Sequence, residues 1–107
     1  MLRLLCASIF ALVLLPSVQA ATFTAASSLD APDANPGNGV CDPVGLPPSQ
    51  CTLRAAIMEA SALPGSHTIQ LQSGRVYLLT RPQVGHDGSN GALRIGRSMS
   101  ISCPGCT

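Results

Sequence analysis

The chain contains no lysine, and its six basic residues are all arginines. Charged residues make up only 10% of the sequence, and no basic cluster is present among them. Nucleic-acid binding needs a positively charged surface that neutralises phosphates, so the sequence does not predict this class of function. Attraction to an anionic membrane surface needs a similar cluster and is equally unsupported.

The sequence also lacks an apolar run long enough to cross a membrane. Its longest run covers residues 4–15, about a dozen positions, whereas a bilayer core needs about 20. Arg3 precedes the run, Pro16 ends it, and Ala20 is the small residue expected at a signal-peptidase site. We therefore predict a signal peptide at residues 1–20. The protein is expected to be secreted or held at the cell surface or outer membrane of a bacterium.

The cysteines that remain after this processing predict disulfide bonds. The processed chain has about 90 residues, enough for one small domain, and such domains often need covalent cross-links. Four cysteines, an even number, suit an oxidising compartment. We predict a bond between Cys41 and Cys51, and a second between Cys103 and Cys106 unless these two pair outside this sequence.

Two other uses of the cysteines are weighed against disulfides. A structural zinc site has a more regular ligand spacing than one distant pair and one short pair. A redox motif of the thioredoxin kind follows a strand and opens a helix, whereas the sequence ends soon after Cys103 and Cys106. Disulfide bonds remain the favoured prediction.

A short amphipathic helix is predicted after Thr52, which is suited to cap the first turn. Four apolar residues at i, i+3, i+4 and i+7 form the face expected to pack on the core: Leu53, Ala56, Ile57 and Ala60. Arg54 lies off that face, so we expect its replacement to cost little. Pro64 cannot continue the helix and sets its end.

The segment covering residues 21–50 is rich in glycine, proline, aspartate and asparagine, which predicts turns. Its carboxylates Asp30, Asp33 and Asp42 are candidate calcium ligands, because calcium prefers oxygen donors. Their spacing is not that of an EF-hand loop, and turn chemistry explains the same residues. Calcium is therefore the one cofactor considered, and the sequence does not require it.

Beyond the helix the apolar pattern changes from a period of 3.6 residues to a period of 2. Short strands are predicted at residues 68–71, 76–80, 93–95 and 99–101, separated by glycine turns. Such strands suit the stacked coils of a parallel β-helix, and they are too few for a closed antiparallel sandwich or barrel. From these residues we predict a mainly β fold with one short helix, in which the strands form coils of a parallel β-helix.

The order of these motifs resembles the CSLREA module found at the amino end of exported bacterial β-helix proteins. The matching segments are Cys51-Thr52-Leu53-Arg54, Pro64-Gly65, Thr68-Ile69-Gln70-Leu71 and Tyr77-Leu78-Leu79-Thr80. Three positions depart from the family pattern: Ala55 replaces Glu, Ser61 replaces Asn, and His67 replaces Asp. We expect His67 to be an exposed turn residue. The resemblance implies a right-handed parallel β-helix, of which residues 51–107 form the amino-terminal cap, with its helix, and the first coils. It also implies that this β-helix is truncated here, with further coils in a longer chain.

The resemblance also implies a function. It predicts an exported, adhesin-like structural protein whose helix caps a β-helix, with no catalytic residue in this chain. Other cell-surface proteins or polysaccharide are the expected partners. The alternative is the amino end of a secreted polysaccharide lyase or hydrolase. Such an enzyme needs clustered carboxylates or basic residues, whereas His86 and Asp87 stand alone in a glycine-rich turn.

Overall fold

The computed structural model describes residues 20–106. They form strand β1 (Thr22–Ala25), a 3-10 helix (Pro48–Gln50), helix α1 (Leu53–Ala62), strand β2 (His67–Leu71) and strand β3 (Met99–Ser102). All but the last residue of the predicted signal peptide lies outside the described residues. No helix among residues 20–106 combines the length and the apolar character needed to cross a membrane.

The three strands form one parallel sheet in the order β1, β2, β3. The register aligns Phe23 with Ile69, and Ile69 with Ile101, so an apolar row crosses the sheet on one face. Phe23 and Ile69 are buried in the core, whereas Ile101 on β3 is 44% exposed. The core therefore lies under β1 and β2 and thins toward β3.

The predicted β-helix coils are wrong for this chain. The described residues form a single open sheet with one helix beside it, and no coil closes among them. The segments at 76–80 and 93–95 are not strands. Instead, the Tyr77 hydroxyl donates to the carbonyl of Ala25 at 2.7 Å and accepts the N–H of Gln72 at 2.8 Å. Alternation in a short segment indicates a preferred face but does not supply a pairing strand.

Helix α1 begins at Leu53 because the Thr52 hydroxyl accepts the N–H of Ala55 at 3.0 Å. It ends before Pro64, where the N–H of Leu63 closes on the carbonyl of Glu59. The helix packs on β1 and β2. Of the predicted core face, Leu53 is partly buried and three residues are buried: Ala56, Ile57 and Ala60.

Other residues of α1 are buried as well. Arg54, Ala55 and Glu59 have at most 1% of their surface exposed. The expectation that Arg54 lies outside the packed surface is therefore wrong. The helix is enclosed by the sheet and also by loops that reach its polar side chains.

Among residues 20–106, two cysteine pairs lie at disulfide distance. The Cα atoms are 5.6 Å apart for Cys41 and Cys51, and 5.4 Å apart for Cys103 and Cys106. Cys41 and Cys51 are buried in the same cluster as Phe23. Their bond ties the glycine-rich segment to the start of α1. Closing a loop of this length contributes about 2–3 kcal/mol by restricting the unfolded chain.

Candidate functional site

Three buried ionisable side chains at and just after α1 connect segments that are distant in sequence. They are Arg54 and Glu59 on the helix and His67 at the start of β2. Burial of such groups is costly unless they are paired or hydrogen-bonded. Their partners therefore decide what this part of the protein does.

Arg54 forms a salt bridge with Asp30, and neither side chain has exposed surface. Its Nε lies 2.5 Å from Oδ1 of Asp30, and its Nη2 lies 3.1 Å from Oδ2. Two of the three remaining guanidinium hydrogens reach backbone carbonyls, with Nη1 2.9 Å from that of Gly88 and Nη2 2.6 Å from that of Gly91. One arginine thus fastens α1 to an early segment and to a late loop.

Asp30 also accepts hydrogen bonds from two backbone amides. Its Oδ2 accepts the N–H of Thr80 at 2.7 Å and that of Arg81 at 3.1 Å. Burial alone would raise the pKa of Asp30, but the hydrogen bonds from Arg54, Arg81 and Thr80 outweigh it and hold the pKa below its ordinary value. The carboxylate is therefore ionised at neutral pH, and both of its oxygens accept hydrogen bonds from the protein itself.

Glu59 is fully buried and holds a glycine turn. Its two carboxylate oxygens accept the backbone N–H groups of Gly37 and Gly39. Both glycines have positive φ, 98° and 86°, a conformation that side chains disfavour. The turn at residues 37–39 is therefore fixed to α1 through one side chain.

Asp33 lies in the same loop system and is 5% exposed. Its Oδ1 accepts the N–H of Asn35 at 2.8 Å, whereas Oδ2 has no hydrogen-bond partner. Burial raises the pKa of Asp33; the Asn35 amide opposes this effect, and the negative charge of Glu59 adds to it. The pKa of Asp33 therefore lies above its ordinary value, whereas the pKa of Asp30 lies below its own.

The structure does not gather the calcium candidates into a metal site. Asp30 is committed to Arg54, Asp33 binds the Asn35 amide, and the Asp42 backbone carbonyl accepts the N–H of Ala34. Among residues 20–106, no group of three or more His, Cys, Asp or Glu side chains is placed to hold a metal ion.

His67 is 1% exposed, so the expectation of an exposed turn residue is wrong. Its Nδ1 accepts the N–H of Ala21 at 2.9 Å. Its Nε2 lies 3.1 Å from the carbonyl oxygens of Leu63 and Pro64. Because carbonyls only accept, Nε2 carries the hydrogen and Nδ1 is the acceptor. The ring of Phe23 lies 6.1 Å from the imidazole, centroid to centroid.

The exposed pair His86 and Asp87 takes part in local turn contacts. Oδ1 of Asp87 accepts the hydroxyl of Ser89 at 2.6 Å and its N–H at 3.0 Å, which lowers the pKa of Asp87. A neighbouring surface cavity of 520 Å³ is bordered by His86 and Arg94 and has no acidic side chain in its lining. The contacts at this loop are those of a turn.

The arrangement around α1 is one of anchoring. The polar atoms of Arg54, Glu59 and His67 form hydrogen bonds with backbone groups or an ion pair with an opposite charge. Comparison of the chain with protein-family models, curated protein sequences and solved structures finds no match in any of the three.

Proposed function

We propose that the chain is an exported structural module of an adhesin-like surface protein. The proposal rests on the observation that the buried ionisable groups bind the protein's own backbone. Arg54, Glu59 and His67 hold loops and strand ends in place, and their hydrogen-bonding atoms point to the protein's own backbone. Buried polar groups whose hydrogen bonds are made within the protein make the fold rigid.

The covalent and apolar contacts support the same role. The bond between Cys41 and Cys51 lies in the core, and such bonds are retained in oxidising compartments outside the cytoplasm. Helix α1 covers the apolar face of β1 and β2. In the proposed role, the helix and the disulfide-closed segment seal the β1 side of a parallel sheet. Other surface proteins or polysaccharide are the proposed partners, as the resemblance to the CSLREA module implies.

Export is tested by expressing the full chain in a bacterium and sequencing the amino end of the recovered protein. We expect protein outside the cytoplasm that begins at Ala21. A Leu12→Arg variant interrupts the apolar run and is the matched control, which should stay unprocessed inside the cell. Cytoplasmic protein that retains Met1 in the unmodified chain would contradict the proposal.

The structural role is tested separately on the purified protein. Incubation with acidic polysaccharides should release no new reducing ends and no unsaturated sugars. Release of either product at a rate that follows protein concentration would favour the lyase or hydrolase instead. The same protein immobilised on a surface provides the complementary measurement, namely retention of polysaccharide or of bacterial cells.

A further inference from the structure

Ala21 is held from both sides at the start of the sheet. Its N–H donates to Nδ1 of His67 at 2.9 Å, and its carbonyl accepts the N–H of Thr68 at 2.9 Å. Ala21 also packs against the core, whereas Ala20 is exposed. The boundary between the exposed and the held residue coincides with the predicted cleavage site.

The imidazole of His67 is oriented to receive a donor at this point. Its Nε2 hydrogen is directed to the carbonyls of Leu63 and Pro64, which follow the last turn of α1. The carboxyl end of a helix carries a partial negative charge. His67 is thus fixed by acceptors on one side and presents an unprotonated nitrogen to Ala21 on the other. This environment favours a positively charged donor at Ala21.

We propose that His67 is a binding site for the amino terminus of the processed protein. This inference rests on the proposed export, since it requires removal of residues 1–20. Cleavage breaks the peptide bond between Ala20 and Ala21 and consumes one water molecule. Ala20 leaves with a carboxylate, and the new amino group of Ala21 takes up a proton.

The exchange of an amide for an ammonium strengthens the contact with His67. A charge-assisted hydrogen bond is about twice as strong as a neutral one. Capture of a terminal amine is also a recurring mode of recognition in proteins. In the unprocessed chain only the neutral N–H of Ala21 is available. Processing therefore fastens the start of β1, where Thr22 pairs with Thr68.

The absence of lysine gives a direct test, because a chain that begins at Ala21 has a single primary amine. Protein prepared with Ala21 as its first residue is treated near neutral pH with an amine-selective acylating reagent. The rate is compared with that of the same disulfide-bonded protein in denaturant. We expect acylation of the folded protein to be slower by about tenfold or more, because the amine reacts only when the strand end opens.

Variants at the two histidines distinguish binding of the amino terminus by His67 from a general effect of folding on the acylation rate. His67→Phe keeps a ring beside Phe23 but removes the acceptor, so its acylation should approach the denatured rate. His67→Asn retains an acceptor side chain and should keep part of the protection. His86→Phe alters an exposed histidine and should react as slowly as the parent protein. Equal rates for the parent and for His67→Phe would overturn the proposal.

A second measurement needs no variant and covers the case in which His67→Phe does not fold. Acetylation of Ala21 keeps its N–H but removes the charge, so the acetylated protein should unfold at a lower denaturant concentration. Equal unfolding midpoints would overturn the proposal. These measurements use protein that begins at Ala21 by preparation, so they are independent of the export test. If the exported protein begins at another residue, Ala21 is not the natural amino terminus, and the proposal that His67 binds the processed terminus is overturned.

Discussion

Replacing Arg54 with methionine should lower the free energy of unfolding by about 3–5 kcal/mol, because the buried Asp30 carboxylate loses its counter-charge. The carbonyls of Gly88 and Gly91 lose their donor in the same change. Methionine keeps the unbranched apolar stem of the side chain and removes the charged guanidinium group. Urea unfolding with both disulfides intact measures the effect.

Arg75→Met is the matched control, since Arg75 is exposed and binds Gln72 and Ser28 at the surface. Its change should stay within about 0.5 kcal/mol. Adding Asp30→Asn to Arg54→Met removes the unpaired charge and should recover part of the loss. Equal destabilisation by Arg54→Met and Arg75→Met would contradict the buried salt bridge.

The pH dependence of stability provides a second readout of the same pair. The pKa of Asp30 is lower in the folded protein than its ordinary value of about 3.9. An acid of this kind contributes stability at pH values above its unfolded pKa. The contribution is lost as the pH falls from that value through the folded pKa. Arg54→Met should therefore reduce the loss of stability on acidification below about pH 4.

Glu59→Gln should destabilise the protein by about 2–3 kcal/mol, because one of the two loop amides loses its acceptor. Glutamine offers one carbonyl oxygen, and its NH₂ group cannot accept from the second N–H. The turn at Gly37 and Gly39 should loosen, which hydrogen exchange of these two amides will detect. Urea unfolding gives the overall change.

Asp87→Asn makes the same chemical change at a fully exposed turn and should have little effect on stability. Glu59→Gln also removes a negative charge that raises the pKa of Asp33. The pKa of Asp33, followed by NMR titration, should therefore move down toward its ordinary value. An unchanged Asp33 titration together with parent-like stability would show that Glu59 does not anchor this loop.

The sequence predicted local structure correctly where distinctive residues mark the beginning and end of an element. Thr52 and Pro64 delimit a helix that the structure has at Leu53–Ala62. Alternation at 68–71 and 99–101 also falls on strands β2 and β3. Strand β1 was not predicted, although its residues alternate, because four residues beside a turn-rich segment give little signal. The β-helix prediction failed because alternation does not specify which segments pair.

The anchoring residues were missed for a different reason. Periodicity assigns one face of a helix to the core and treats charged residues on the other faces as solvated. In α1, Arg54 and Glu59 are instead buried, because loops distant in sequence bind their side chains. Their partners lie 20 to 37 positions away in sequence. Pairing over such distances leaves no local pattern from which to predict it.

The reach of Arg54 also sets an order of events for the newly made chain. Synthesis proceeds from the amino end, so α1 emerges while Gly88 and Gly91, 34 and 37 positions further along, are still missing. Until they arrive, two more guanidinium hydrogens lack their acceptors, which makes desolvation of Arg54 more costly. Contacts of such sequence separation slow folding. We therefore expect that a chain ending before Gly88 cannot complete the burial of Arg54 on α1.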